Sequence, residues 1–174
     1  MKSIHITGKN NIDKMHNATN ENEDKKKAVR NQMIDLPEEM LAHKKQLEMV
    51  NKLFLGDLVE NKKWIEREIE KKIQGYKQQD IKKYIYNPIA LINLEEVLEK
   101  MVIAKLKCYY CKQDIFILYK DVRYTLQWTL DRKDNDLCHS KENTLISCLK
   151  CNLQRRVTDV DKFTFTKHLR IQKS

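Results

Sequence analysis

Glycine and proline are scarce: the 174 residues contain 3 and 2 of them. Folds built from many short strands reverse direction often and draw on both residues to do so. The composition therefore argues against a turn-rich β fold and for helices. Long apolar runs are also missing, so no bilayer-spanning segment and no membrane partner are expected. The opening MKSIHITGKNNIDK has no apolar stretch of secretory-leader length, which points to an intracellular protein. In a reducing compartment, paired cysteines hold metal more often than they form disulfides.

Positive charge, by contrast, is plentiful, with a formal net charge of +9. Such a balance says nothing about fold but favours encounter with polyanions. A lysine-rich solvated surface is the plain alternative. Together with the motifs described next, nucleic acid becomes the favoured partner.

Residues 1–31 are polar and rich in Asn and Lys, with too few apolar side chains to offset the entropy of ordering, and read as a disordered or loosely attached arm. Residues 32–106 read as a helical region. Met33, Leu36, Met40, His43, Leu47, Val50 and Phe54 recur at three- and four-residue spacing, one stripe of a helix. Asp35 is its candidate cap, with Pro37 in the first turn. Gly56 is a stop signal, and Asp57-Leu58-Val59-Glu60 reads as a capping box for a second helix. That helix carries Leu58, Ile65, Ile69 and Ile73 on one face. The spacing predicts a helical hairpin, and a continuous coiled coil that makes a homodimer is the alternative. His43, Trp64 and Tyr76 read as packing residues. A third helix opens at Asn93, with Glu96 three residues on and Leu94, Val97, Leu98 and Met101 as its apolar face. Over 107–174 the pattern changes to β-prone runs, IFILY and YTLQWTL, flanked by cysteines.

Cys108-Tyr109-Tyr110-Cys111 and Cys148-Leu149-Lys150-Cys151 are two C-x-x-C pairs. Two intervening residues allow a tight knuckle whose thiolates converge, and two knuckles complete a tetrahedral Zn²⁺ shell. A thioredoxin-like redox pair needs a βαβ setting that this sequence lacks. Cys138, the fifth cysteine, reads as a bystander. A region this small buries little core, so a structural zinc is expected to supply much of its stability. The 36 residues between the pairs, 112–147, exceed the span of a common zinc ribbon and suggest a functional insert.

The run WTLDRKDNDLCHSKENTLISCLKCNLQRR, residues 128–156, resembles the HNH, or ββα-metal, nuclease motif. Its nearest shape is that of the endonuclease VII-like recombination nucleases and of HNH proteins from large eukaryotic DNA viruses. YKQQDIKK and LKCYYC upstream are similar to those viral proteins too, so the likeness spans roughly residues 75–172. The resemblance implies a β-hairpin and a helix pinching a divalent cation, clamped by the four-cysteine zinc. It implies the fold class α+β, a mostly helical N-terminal part plus a small zinc-stapled module. Asp131 matches the acidic metal ligand, Asn143 the asparagine that braces the hairpin, and Asn152 the closing position that faces the metal. The location implied for a viral chain is the nucleus or a viral replication site.

Phosphodiester hydrolysis requires an activated water, a Lewis acid and positive charge for the phosphate. Asp131 and Asn152 offer oxygen ligands suited to Mg²⁺ or Mn²⁺. Arg132, Arg155 and Arg156 are candidate phosphate contacts, although Arg155 and Arg156 also suit a solvated helix end. Family members typically carry Asp-His where this chain has Asp131-Arg132. The general base must then be His139 or Asp134, with His139 chemically favoured. Members with a D-R-x-D-N run usually have Gly-His where this chain has Cys138-His139, so a strained turn at Cys138 is expected if positive φ is needed there. The expected activity is endonucleolytic cleavage of DNA, duplex or branched, with RNA as a second candidate substrate. The rival readings are a zinc-dependent DNA- or RNA-binding protein without catalysis and a partner-binding helical protein.

Overall fold

The structure, a computed structural model, describes residues 36–169. The arm assigned to residues 1–31, with Met33 and Asp35, lies outside that range. A 3₁₀ turn, Glu38–Leu41, precedes helix α1 (His43–Phe54), α2 (Lys62–Lys82) and α3 (Leu94–Ile103). Strands β1 (Trp128–Arg132) and β2 (Thr144–Cys148) follow, then helices α4 (Leu149–Arg155) and α5 (Val160–His168). The fold is mixed α+β. None of the described helices is long and apolar enough to cross a membrane.

Helices α1 and α2 are separated at Gly56, which adopts φ +78°. The Asp57 amide donates to Lys52 O at 2.9 Å and the Gly56 amide to Leu53 O at 3.2 Å, the two bonds of a Schellman closure. This closure corrects the expected capping box. The Asp57 amide that the box would pair with Glu60 is taken by Lys52 O, and α2 starts instead at Lys62 behind a left-handed Asn61. Leu58, expected on the apolar face, is fully exposed at 100%. Ile65, Ile69 and Ile73 are buried as the spacing predicts. A continuous coiled coil is not formed: Phe54, expected on the first stripe, is 46% exposed, while Met40, Val50, Ile65, Ile69 and Ile73 are buried within the chain. Helix α3 carries the expected Asn93–Glu96 capping box. Buried side chains run in one cluster from Leu36 to Phe163, so the helices and the cysteine-bearing segment share a core.

The IFILY run, 115–119, is buried at Ile115, Ile117 and Leu118 but is not a strand. Phe116 makes an isolated parallel bridge, its N–H donating to Leu126 O and its carbonyl accepting from Trp128 N, both at 3.0 Å. At Ile117 and Leu118 the main chain bonds instead to a side chain: Gln46 Oε1 accepts from Ile117 N and Leu118 N at 2.8 and 3.0 Å, while Gln46 Nε2 donates to Leu118 O at 3.0 Å. One wholly buried glutamine on α1 thus stands in for a neighbouring strand.

The two strands form an antiparallel pair in which Leu130 faces Ile146 and Asp131 faces Leu145. A two-stranded sheet has two open edges, and both are closed here. On the β1 edge, Leu130 N donates to the Tyr76 hydroxyl of α2 at 2.9 Å and Leu130 O accepts from Asn152 Nδ2 at 3.2 Å. On the β2 edge, Ile146 O accepts from Tyr109 N at 2.9 Å. Helix α4 follows β2 without a loop and packs on both strands.

Gly75 sits inside α2, and a Cβ there would meet no atom within 4 Å. Gly75→Ala should therefore stabilise the fold by about 0.5–1 kcal/mol, since alanine loses less backbone entropy in a helix. Urea unfolding of the two proteins measures it.

Candidate metal centre and adjoining cleft

The sulfurs of Cys108, Cys111, Cys148 and Cys151 all lie within 4.8 Å of one another, with Cys111 and Cys148 3.9 Å apart. Tetrahedral Zn–S bonds of roughly 2.3 Å place sulfurs about 3.8 Å from one another, so the cluster fits that ion. Each knuckle has a local cause. Lys112 takes φ +59°, which turns the chain after Cys111 and lets its amide bond Cys108 O at 3.0 Å. At the second knuckle Cys148 caps α4, its Sγ accepting the Cys151 amide at 3.3 Å. The thiols are crowded. The Cys148 S–H holds Cys108 down to about 5, the same contact and burial push Cys148 up, and burial pushes Cys151 up to about 12. A dication relieves that conflict by allowing the sulfurs to be thiolates together. Cys138 is buried but stands outside the four.

Asp131, on β1, is 5% exposed and tightly held. Arg155 Nε and Nη2 donate to its two oxygens at 2.6 and 2.9 Å, and the Tyr110 hydroxyl donates to Oδ2 at 2.6 Å. Burial, then the bond to Asp131, push the Tyr110 hydroxyl's pKa up, so it stays protonated and donating. Arg155 also donates to the carbonyls of Arg132 at 2.5 Å and Thr158 at 2.6 Å. At 1% exposure, with its donors committed, Arg155 is not a surface phosphate contact, which corrects the expectation for it. It joins α4 to β1 as a buried ion pair. Asp131 Oδ1 accepts only from Arg155 Nη2 among the described residues, so one of its lone pairs remains.

His139 lies in the loop between the strands and is 3% exposed. Its Nδ1 is 2.7 Å from Asp80 Oδ1, and its backbone N–H donates to Asp80 Oδ2 at 2.8 Å. Tyr76 stacks on the imidazole, centroids 4.6 Å apart and planes at 28°. Arg132 Nη1 reaches the same Asp80 Oδ1 at 3.5 Å and donates to Leu137 O at 3.1 Å. Burial lowers the His139 pKa below histidine's usual range, against the opposing pull of Asp80. The imidazole is therefore neutral at pH 7. Asp80 and Tyr76 were not expected at this site. A signal did exist: Tyr76 and Asp80 continue the buried stripe of Ile65, Ile69 and Ile73, and a carboxylate on an apolar stripe requires a partner.

Asn143 ties the same loop together. Its Nδ2 donates to Asp134 O at 2.9 Å, Cys138 O at 3.0 Å and Leu137 O at 3.4 Å, and its Oδ1 accepts from Asp134 N at 2.9 Å. Cys138 is not among the described residues with positive φ, so the strain expected from the missing glycine is not found. The Asp134 carboxylate is exposed, accepts from Asp136 N at 2.9 Å and does not line the cleft described next, which removes it as a base.

A cleft of about 510 Å³ opens where the hairpin, α4 and α2 meet. Asp131, Arg132, His139, Asn152 and Arg156 line it together with Lys71, Lys72 and Tyr76 of α2. Asn152 is oriented by donating Nδ2 to Thr129 Oγ1 at 3.1 Å and to Leu130 O, and its Oδ1 has no protein partner among the described residues. Arg156 is exposed and ends α4 at φ +52°. Five residues singled out from sequence thus share one basic cavity, while Arg155 and Asp134 stay outside it. No protein-family model matches the chain, and the comparisons with curated proteins and with solved structures found no match either.

Proposed function

We propose that this protein is a metal-dependent endonuclease of the HNH type, cleaving DNA phosphodiester bonds, with a structural zinc on Cys108, Cys111, Cys148 and Cys151. The observation that carries the reading is the meeting of Asp131, Asn152, His139, Arg132 and Arg156 in one cleft beside the cysteine cluster. Asp131 Oδ1 and Asn152 Oδ1 are the atoms that would hold a Mg²⁺ or Mn²⁺ ion, which when bound supplies Lewis acidity to the departing oxygen. The remaining work falls to the chain. His139, neutral and with Nδ1 already engaged, accepts a proton from water at Nε2. The water oxygen bonds to phosphorus, the bond from phosphorus to the sugar oxygen breaks, and solvent returns a proton to that oxygen. Arg156, exposed at the end of α4, offsets the phosphate charge.

The test is cleavage of linear and branched DNAs, with an RNA control, in Mg²⁺, Mn²⁺ or chelator. Cleavage that needs the divalent ion is the expected result, and His139→Ala should slow it by about 10²- to 10⁴-fold. A normal rate in that variant removes His139 as the base.

A second reading has its own support. Arg155 and Tyr110 occupy most of the bonding capacity of Asp131 and offset its charge. A carboxylate so held suits a zinc-stabilised DNA- or RNA-binding protein without catalysis. Salt-sensitive binding with no cleavage by the wild type in any divalent ion is the outcome that selects it.

A further inference from the structure

We infer that Asp80, contributed by helix α2, is the positioning residue of the His139 base, so that the helical region forms part of the active site. This rests on the nuclease reading above and adds to it a residue outside the motif.

The geometry separates this arrangement from a simple buried ion pair. One carboxylate grips His139 twice, at the ring Nδ1 and at the main-chain N–H, at 2.7 and 2.8 Å. That double contact fixes the ring against the backbone, and it selects the tautomer with the proton on Nδ1. Tyr76, one turn earlier on α2, covers the ring face and is itself anchored by Leu130 N. The other nitrogen is left available. Nε2 has no protein partner among the described residues, and it is not among the buried polar atoms left unsatisfied, so it opens to the cleft that His139 lines. A nitrogen so placed can take a proton from water in the cleft. The charged and titratable groups around the ring are Asp80 and Tyr76 from α2, Lys83 at the C-cap of that helix and Arg132 from β1. Arg132 shares Asp80 Oδ1, which accounts for an arginine beside Asp131: it balances the carboxylate that orients the base.

When His139 takes the proton of water, the ring becomes an imidazolium between Asp80 and the cleft. The carboxylate stabilises that charge, and no proton needs to pass to Asp80. Losing the carboxylate should therefore slow the proton-transfer step and lower the pH at which the base becomes protonated.

The experiment pairs two measurements on the full chain. In the wild type, ¹⁵N spectra of the imidazole should show the proton on Nδ1 at neutral pH. In Asp80→Asn, cleavage of the best DNA of the panel should fall by about 10-fold or more, up to the roughly 10⁴-fold loss that follows when the carboxylate orienting a general-base histidine becomes an amide. The acidic limb of its pH–rate profile should move to lower pH. A merely structural role could reduce the folded fraction but would leave that limb in place. An Nε2-protonated wild type overturns the inference even if the variant fails to fold. An unchanged rate and pH profile in a folded Asp80→Asn overturns it while leaving the nuclease reading standing. Absence of any wild-type cleavage ends the nuclease reading, and this inference with it.

Discussion

Removing the metal, or replacing Cys148 by alanine, is expected to cost the protein its native fold. Cys148 is fully buried, provides one of the four sulfurs, accepts the amide that starts α4, and ends β2 opposite Trp128. A four-cysteine zinc contributes on the order of 10 kcal/mol of apparent folding free energy to small modules, about as much as the whole net stability of an ordinary domain. The loss should spread beyond the knuckles, because Cys108, Cys148 and Cys151 belong to the same buried cluster as Ile69 and Met101. Circular dichroism during titration with a strong chelator should show cooperative loss of structure, reversed by added zinc. Metal analysis should find one zinc per chain, retained in Cys138→Ser. Loss of zinc from Cys138→Ser, or an unchanged melt after complete chelation, contradicts the assignment. The affinity should also fall with acid, because protons compete for the same sulfurs.

The Asp131–Arg155 pair carries the second large effect. Arg155→Ala should destabilise the protein by about 3–5 kcal/mol, the usual consequence of leaving a buried charge without its partner. Asp131 would then keep only the Tyr110 hydroxyl, and the carbonyls of Arg132 and Thr158 would lose their donor. Arg156→Ala, one residue on and exposed, should change stability by no more than about 0.5 kcal/mol. It should weaken nucleic-acid binding in a salt-dependent way instead, lowering the slope of log affinity against log salt by about 1. Chemical denaturation and binding at several salt concentrations separate the two arginines. Equal stability losses would contradict the burial difference between them. The pair also bears on tests of catalysis: Asp131→Ala removes a structural partner of Arg155 together with the proposed metal ligand. A fall in its cleavage rate counts as catalytic only if the variant's stability is measured alongside.

The two arginines illustrate what the sequence could not decide. Adjacent at the end of a short helix, they look alike on paper, and both read as phosphate contacts. Arg155 is the last helical residue and turns inward to Asp131, whereas Arg156 leaves the helix at φ +52° and stands in water. The capping box at Asp57 failed for a comparable reason: the amide that would have opened α2 was already bonded to Lys52. IFILY has the composition of a strand, but it forms only an isolated bridge at Phe116, and Ile117 bonds to a glutamine side chain 71 residues earlier.

What the sequence determined by itself was local. Ligand spacing within each C-x-x-C pair, the break at Gly56, the stripe of Ile65, Ile69 and Ile73 and the cap at Asn93 all depend on residues a few positions apart, where backbone geometry settles the outcome. What only the tertiary structure decided was which distant groups share a cavity. Asp80 and His139 stand 59 residues apart, and their contact exists because α2 covers the free edge of β1. That placement follows from burying an apolar helix face and closing an open strand, which are properties of the packed whole.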